Sequence, residues 1–137
     1  MKNKMFVLLN LLYLMALCAA CAARNEDVNV SNFRLALDQA GEDVTSTFFP
    51  TDVIYVVADL VEVPRGTKLE AKWIAVNAEG TKRNHEIDTE TINITDEIFT
   101  GSIFFQLSNA VPWPLGQYRV DLYVNDALAE SLEFSVQ

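Results

Sequence analysis

Beyond residue 32, apolar residues recur at every second position through most of the chain, the period of a half-buried strand. The clearest run is residues 115–124. There Tyr118, Val120, Leu122 and Val124 share one face, and Arg119, Asp121 and Tyr123 share the other. Residues 33–37 alternate in the same way and predict a first strand. Residues 53–63 form a long β-branched run with Ile54, Val56, Ala58 and Leu60 inward, while Asp59 and Glu62 predict that one face becomes wet towards its end. Residues 68–76 place Leu69, Ala71, Trp73 and Ala75 on one face against Lys68, Glu70 and Lys72. Further inward sets are Ile103, Phe105 and Leu107, and then Leu128, Leu132, Phe134 and Val136. Residues 81–87 and 90–94 are polar and read as edge strands or a crossover between sheets. Turn chemistry separates the runs, at Pro64-Arg65-Gly66-Thr67, at Asn77-Ala78-Glu79-Gly80 and at Asn125-Asp126, a dipeptide suited to a two-residue hairpin. The pattern predicts an all-β chain of about seven or eight strands in two packed antiparallel sheets.

The first 32 residues follow a different rule. Lys2 and Lys4 precede an almost unbroken apolar run from Met5 to Leu17, followed by the small residues Cys18, Ala19, Ala20 and Cys21. That order is expected of a helical secretory signal peptide, residues 1–20, removed on export. Cys18-Ala19-Ala20-Cys21 resembles a bacterial lipobox, with Cys18 where that family prefers leucine. The resemblance implies diacylglycerol on the Cys21 sulfur, cleavage before it and acylation of the new amine. The implied location is a bacterial membrane (the outer membrane in a diderm host), with the domain facing periplasm or cell surface. Cleavage after Ala22 or Ala23 would instead give a soluble secreted protein. Residues 21–32 are polar and aperiodic and read as a tether, of which eleven extended residues reach at most about 35–40 Å. The remaining residues, 33–137, form the folded domain. Both cysteines lie at the signal junction, so the domain is expected to hold together without a disulfide.

With Trp73 inward on one strand and Gly116-Gln117-Tyr118-Arg119-Val120 opening another, residues 33–136 resemble the immunoglobulin-like or fibronectin-type sandwiches of bacterial surface lipoproteins. The resemblance implies core roles for Trp73, Tyr118 and Val120. Trp73 would fill the space between sheets, and the Tyr118 hydroxyl would bond backbone in the loop before its strand. Val120 stands where disulfide-bonded members carry their second cysteine, and Val56 is an apolar residue where the first would be. Such sandwiches serve many functions, so the likeness implies a fold and leaves the ligand open.

Charge narrows the partners. The chain carries 19 acidic and 10 basic residues. Without Lys2 and Lys4 the exported part would stand at about −11, a poor match for nucleic acid or anionic lipid headgroups. No catalytic constellation is visible. His85 is the one histidine, set in the polar run Lys82-Arg83-Asn84-His85-Glu86 and expected on an exposed loop or edge. The acidic groups Glu42-Asp43, Asp88/Glu90 and Asp96-Glu97 lack the spacing of a calcium loop. The aromatic residues Phe49, Phe99 and Trp113 are the candidate ligand contacts, with Trp113 held between Pro112 and Pro114. The alternative for Trp113 and Phe49 is that they cap the open end of the core. The expectation is a non-enzymatic protein without a cofactor, held to a membrane through Cys21 and binding an envelope protein or polysaccharide. A carbohydrate- or calcium-binding module is the alternative.

Overall fold

The computed structural model describes residues 28–137. The expected signal peptide and Cys21 lie outside the described residues. Eight strands follow in order: β1 (Asn29–Ala36), β2 (Thr47–Phe48), β3 (Ile54–Pro64), β4 (Lys68–Ala78), β5 (His85–Asn93), β6 (Ile98–Leu107), β7 (Gly116–Val124) and β8 (Ala127–Val136). They form two sheets, one ordered β1-β3-β6 and the other β2-β8-β7-β4-β5. This is an all-β sandwich of the immunoglobulin-like kind, with β7 at the centre of the larger sheet.

The inner faces make one core. Val56, Leu69, Ala71, Trp73, Val120 and Leu122 have essentially no exposed surface, so the two valines at the positions of the absent disulfide meet the need by packing. Phe134 gathers the aromatic residues. It stacks on Tyr118 at 5.3 Å between ring centroids and meets Phe48 and Trp73 edge-on at 5.6 and 6.1 Å. Such geometries add to simple burial because ring quadrupoles attract edge to face or in offset stacks. The Trp73 indole N–H is buried without an acceptor among the described residues.

Four local features depart from the sequence expectation. Strand β1 starts at Asn29, inside the expected tether. Asn32 takes a positive φ of 50°, which breaks the alternation while the pairing with β3 continues on both sides. Strand β2 lies in the loop after β1 and pairs parallel with the end of β8, the one parallel pair of the sandwich. Its two residues are too few to show a period. The polar stretch after residue 81 yields a single edge strand, β5, paired only with β4. Finally, Leu128 is exposed. A bulge sets Leu122 opposite Glu130 but Tyr123 opposite Leu128, which turns Leu128 to the outer face with Tyr123.

The register gives the sandwich two distinct ends. Asn29 pairs with Val61 near the end of β3, so the chain enters beside the β3–β4 turn, the β5–β6 turn and the β7–β8 hairpin. These near-end turns are laced together. Arg65 N–H donates to the Glu97 carbonyl, Gly66 N–H to that of Ile94, and Lys68 N–H to the Asn125 side chain. Asn125 and Asp126 both have positive φ (48° and 70°), as the two-residue hairpin requires. The far end carries residues 37–53, 79–84 and 108–115.

One open side of the sandwich is closed by a carboxylate. Glu90 faces inward from β5 and accepts a hydrogen bond from the Gln106 N–H of β6 at 3.1 Å. Burial, with the Asp88 charge beside it, holds its pKa above the ordinary glutamate value despite that bond. A raised folded-state pKa contributes stability that is complete below the ordinary glutamate range and is lost as pH rises through the folded value. Asp38 and Asp59 run the other way. Backbone donors, chiefly Asp43 N–H, lower Asp38, and the Ser102 hydroxyl foremost lowers Asp59. Their contribution is present above the ordinary aspartate value and is lost as pH falls through their lowered folded values. Glu90→Gln keeps an acceptor for Gln106 and removes the buried charge. The expected outcome is a higher melting temperature at pH 7. The variant should also gain less stability than the parent between neutral pH and the glutamate range, as thermal melts across that interval would measure.

Candidate functional site

The far end is built around the loop that precedes β7. Trp113 N–H donates to the Pro50 carbonyl at 2.7 Å, joining this loop to the one before β3. Two residues into β7, the Tyr118 hydroxyl donates back to the Pro114 carbonyl at 2.5 Å, the tyrosine corner of the immunoglobulin-like class. Burial pushes the Tyr118 pKa up, so the hydroxyl remains a protonated donor. Glu79 N–H donates to the Leu115 carbonyl at 2.9 Å, which fastens the β4–β5 turn to the same loop. Pro112 and Pro114 remove backbone freedom on either side of Trp113. The site is therefore held before any ligand arrives.

Trp113 closes the core at this end and is only 7% exposed. It is a cap, and it also lines a pocket of about 400 Å³. The floor is apolar, from Ala75, Ile87, Trp113 and Tyr118, and the rim carries Thr81, Lys82, His85 and Asn109. His85 opens β5 opposite the inward residue Ala75, as an exposed edge residue whose side chain joins that rim. The Trp113 indole N–H has no acceptor among the described residues, and unlike that of Trp73 it is not sealed from solvent.

The other two aromatic candidates lie apart from this pocket. Phe49 stands at the far end, 69% exposed, with its N–H donating to the Asp52 carboxylate at 2.7 Å. Phe99 pairs with Val63 towards the near end of β6 and packs half-buried against the core. The structure thus brings Trp113 together with Tyr118 and His85, but not with Phe49 or Phe99. Lys82, Thr81 and Asn109 are pocket residues that the aromatic pattern does not reveal. The signal for them is charge, since residues 82–85 hold two adjacent cations and the histidine in an acidic chain.

Among the described residues the other cations are engaged, except Arg65 at the near end. Arg34 pairs with Asp59 at 3.3 Å, Lys72 with Glu70 at 3.6 Å, Arg119 with Asp121 at 2.8 Å, and Lys68 with Asp126. Lys82 and Arg83 have no such partner among the described residues. A second depression, of about 540 Å³, runs between β1 and β8. Its one cation, Arg34, already donates to the carbonyls of Asn32, Ala40 and Gly41 as well as to Asp59. Among the described residues, no three His, Cys, Asp or Glu side chains gather as a metal-holding group.

No family model matches the chain, and no curated protein matches it. Three solved structures that resemble it do so over part of their length. A Pseudomonas fluorescens alkylpurine DNA glycosylase bound to DNA is 11% identical, with a TM-score of 0.49 over 80% of this chain and 30% of that one. A β-glucosidase from Listeria innocua in complex with glucose is 11% identical, with a TM-score of 0.49 over 80% and 16%. A β-D-glucoside glucohydrolase from Trichoderma reesei is 13% identical, with a TM-score of 0.46 over 80% and 18%. The chain spans less than a third of each of these proteins, and likenesses at this level carry no inference about activity.

Proposed function

We propose that the chain is an exported, lipid-anchored β-sandwich that works by non-enzymatic binding, presenting its far end to an envelope or extracellular component. One observation carries the reading: the chain enters the sandwich at one end, while the pocket and most exposed apolar side chains gather at the other. Leu37, Val44, Phe49, Val53, Val111 and Leu115 all stand exposed in or beside the far-end loops. Single exposed apolar residues are ordinary, whereas a concentration at the end that also holds the pocket marks a contact surface. An anchor at Cys21 would leave that surface pointing away from the membrane and raise its local concentration beside its partners.

Two measurements test the reading. Mass spectrometry of the protein recovered from its own cells should find an N-terminal Cys21 bearing a diacylglycerol thioether, and Cys21→Ser should leave the membrane fraction. An unmodified terminus at Ala23 or Arg24 would end the anchor claim. Photo-crosslinking residues placed at Phe49 and, separately, at Asp126 should give a discrete adduct from the far end only. Equal adducts from both positions, or none from Phe49, would end the far-end claim.

A further inference from the structure

The pocket has an electrostatic character opposite to that of the molecule. The whole chain carries a net charge of −9, yet none of the ten residues lining this pocket is acidic, and Lys82 and His85 are among them. Of the acidic neighbours in sequence, Asp88 and Glu90 follow further along β5 on the inward register, outside the lining, and the other two are directed away. Glu86 stands opposite Ile74 on the outer face, where it accepts from the Thr89 hydroxyl at 2.7 Å, and Glu79 is exposed outside the lining. Arg83 sits on the same turn, and neither it nor Lys82 forms an ion pair among the described residues. A positive spot left unneutralised within an acidic surface is suited to drawing in a compact anion.

The rest of the lining describes what carries that anion. The Lys82 ammonium and the Trp113 indole N–H are donors only. Asn109 both donates and accepts, and the Thr81 hydroxyl, which points a long 3.4 Å bond at the Glu79 carbonyl, keeps its acceptor lone pairs. Mixed donors and acceptors match hydroxyl groups. The apolar floor suits the C–H face of a ring, and about 400 Å³ is of the order that encloses one or two sugar rings. An inorganic anion would have no use for that floor. A peptide would be expected to seek the free outer edge of β5 rather than this inward floor, and the acidic tetrapeptide below separates the two.

We propose that this pocket binds an acidic saccharide, with its carboxylate, sulfate or phosphate group at Lys82 and His85 and its ring against Ile87 and Trp113. The proposal rests on the binding reading above and names the chemistry of one ligand for it.

The test is calorimetric titration of the exported protein with a panel of trisaccharides: a uronate, a sulfate ester and a phosphate ester, each beside its neutral parent. Sodium sulfate and an acidic tetrapeptide serve as controls. At least one acidic trisaccharide should bind tenfold or more tightly than its parent, and its affinity should weaken as salt rises. Lys82→Glu should lose at least tenfold of that affinity, with an unchanged melting temperature because Lys82 is exposed. Asn109→Ala should lose a few-fold, and Phe49→Ala nothing. Failure of every acidic trisaccharide to exceed its parent would overturn the proposal, as would indifference to Lys82→Glu. Sulfate or the peptide binding as tightly as the saccharide would overturn the ligand class. Should the far-end crosslink of Phe49 persist while no acidic saccharide binds, the pocket assignment falls alone. Loss of both would remove the binding reading with it.

Discussion

Gly116→Ala is expected to destabilise the domain by about 2–4 kcal/mol and to disturb the far-end pocket with it. Gly116 has a φ of +149°, which a side chain rarely tolerates, and an added Cβ would lie 2.3 Å from the Asn77 carbonyl oxygen and 2.6 Å from the Ala78 Cα. Both obstacles are backbone, so β4 and β7 would have to part where they are joined most closely. The same movement would shift Tyr118, whose hydroxyl holds the Pro114 carbonyl and through it the Trp113 loop. Gly80→Ala is the control, since it also has a positive φ (+67°) but nothing within 4 Å of the added carbon. It should cost only about 1–2 kcal/mol. Urea unfolding of the two variants beside the parent measures the difference. A Gly116→Ala variant within 1 kcal/mol of the parent would show that the far ends of β4 and β7 separate freely.

Trp73→Ala is expected to cost about 3–5 kcal/mol, a large share of the roughly 5–15 kcal/mol that holds a typical domain folded. The side chain is completely buried between the sheets, edge-on to Phe134, with no disulfide among the described residues to hold the sheets while the cavity remains. The melting temperature should fall by about 10 °C or more. Trp73→Phe should be far milder than its lost volume suggests. The indole N–H has no acceptor in the core, and leaving such a donor unpaired costs about 1–3 kcal/mol that a phenyl ring does not incur. A Trp73→Phe loss as large as its lost volume alone predicts would mean that the N–H is hydrogen-bonded in solution.

What could be read beforehand depended on how many residues repeat the same signal. Strands β3, β4 and β7 bury one full face and carry long alternating runs, so Ile54 to Leu60, Leu69 to Ala75 and Tyr118 to Leu122 were legible as inward sets. Tyr118 was legible for a second reason, because its hydroxyl must find backbone when buried. Leu128 misled because alternation survives a bulge in sequence but not in space. The edge strand β5 has few apolar residues, since much of its inner face lies at the open side, where Glu90 reaches Gln106. The pocket was legible only in fragments. Its lining comes from β4, the turn after it, β5, the loop before β7 and β7 itself, and no spacing rule links Ala75 to Lys82 or Asn109. Trp113 pointed to the right loop. The charge reversal that characterises the site required the fold to bring Lys82 and His85 to it.

The short β2 has a further consequence for molecules crowded side by side. It covers β8 only at Ser135 and Val136, so the outward backbone of Ala127–Phe134 has no strand beside it. A bare edge of this length invites a neighbouring copy to continue the sheet. Here the bulge at Ala129 bends that edge, while Glu130 stands exposed in the inward register opposite Leu122 and Glu133 lies close by. A second copy approaching edge to edge would bring like carboxylates together across a kinked strand. At the β8 edge, charge and shape thus oppose the addition of a neighbouring copy's strand.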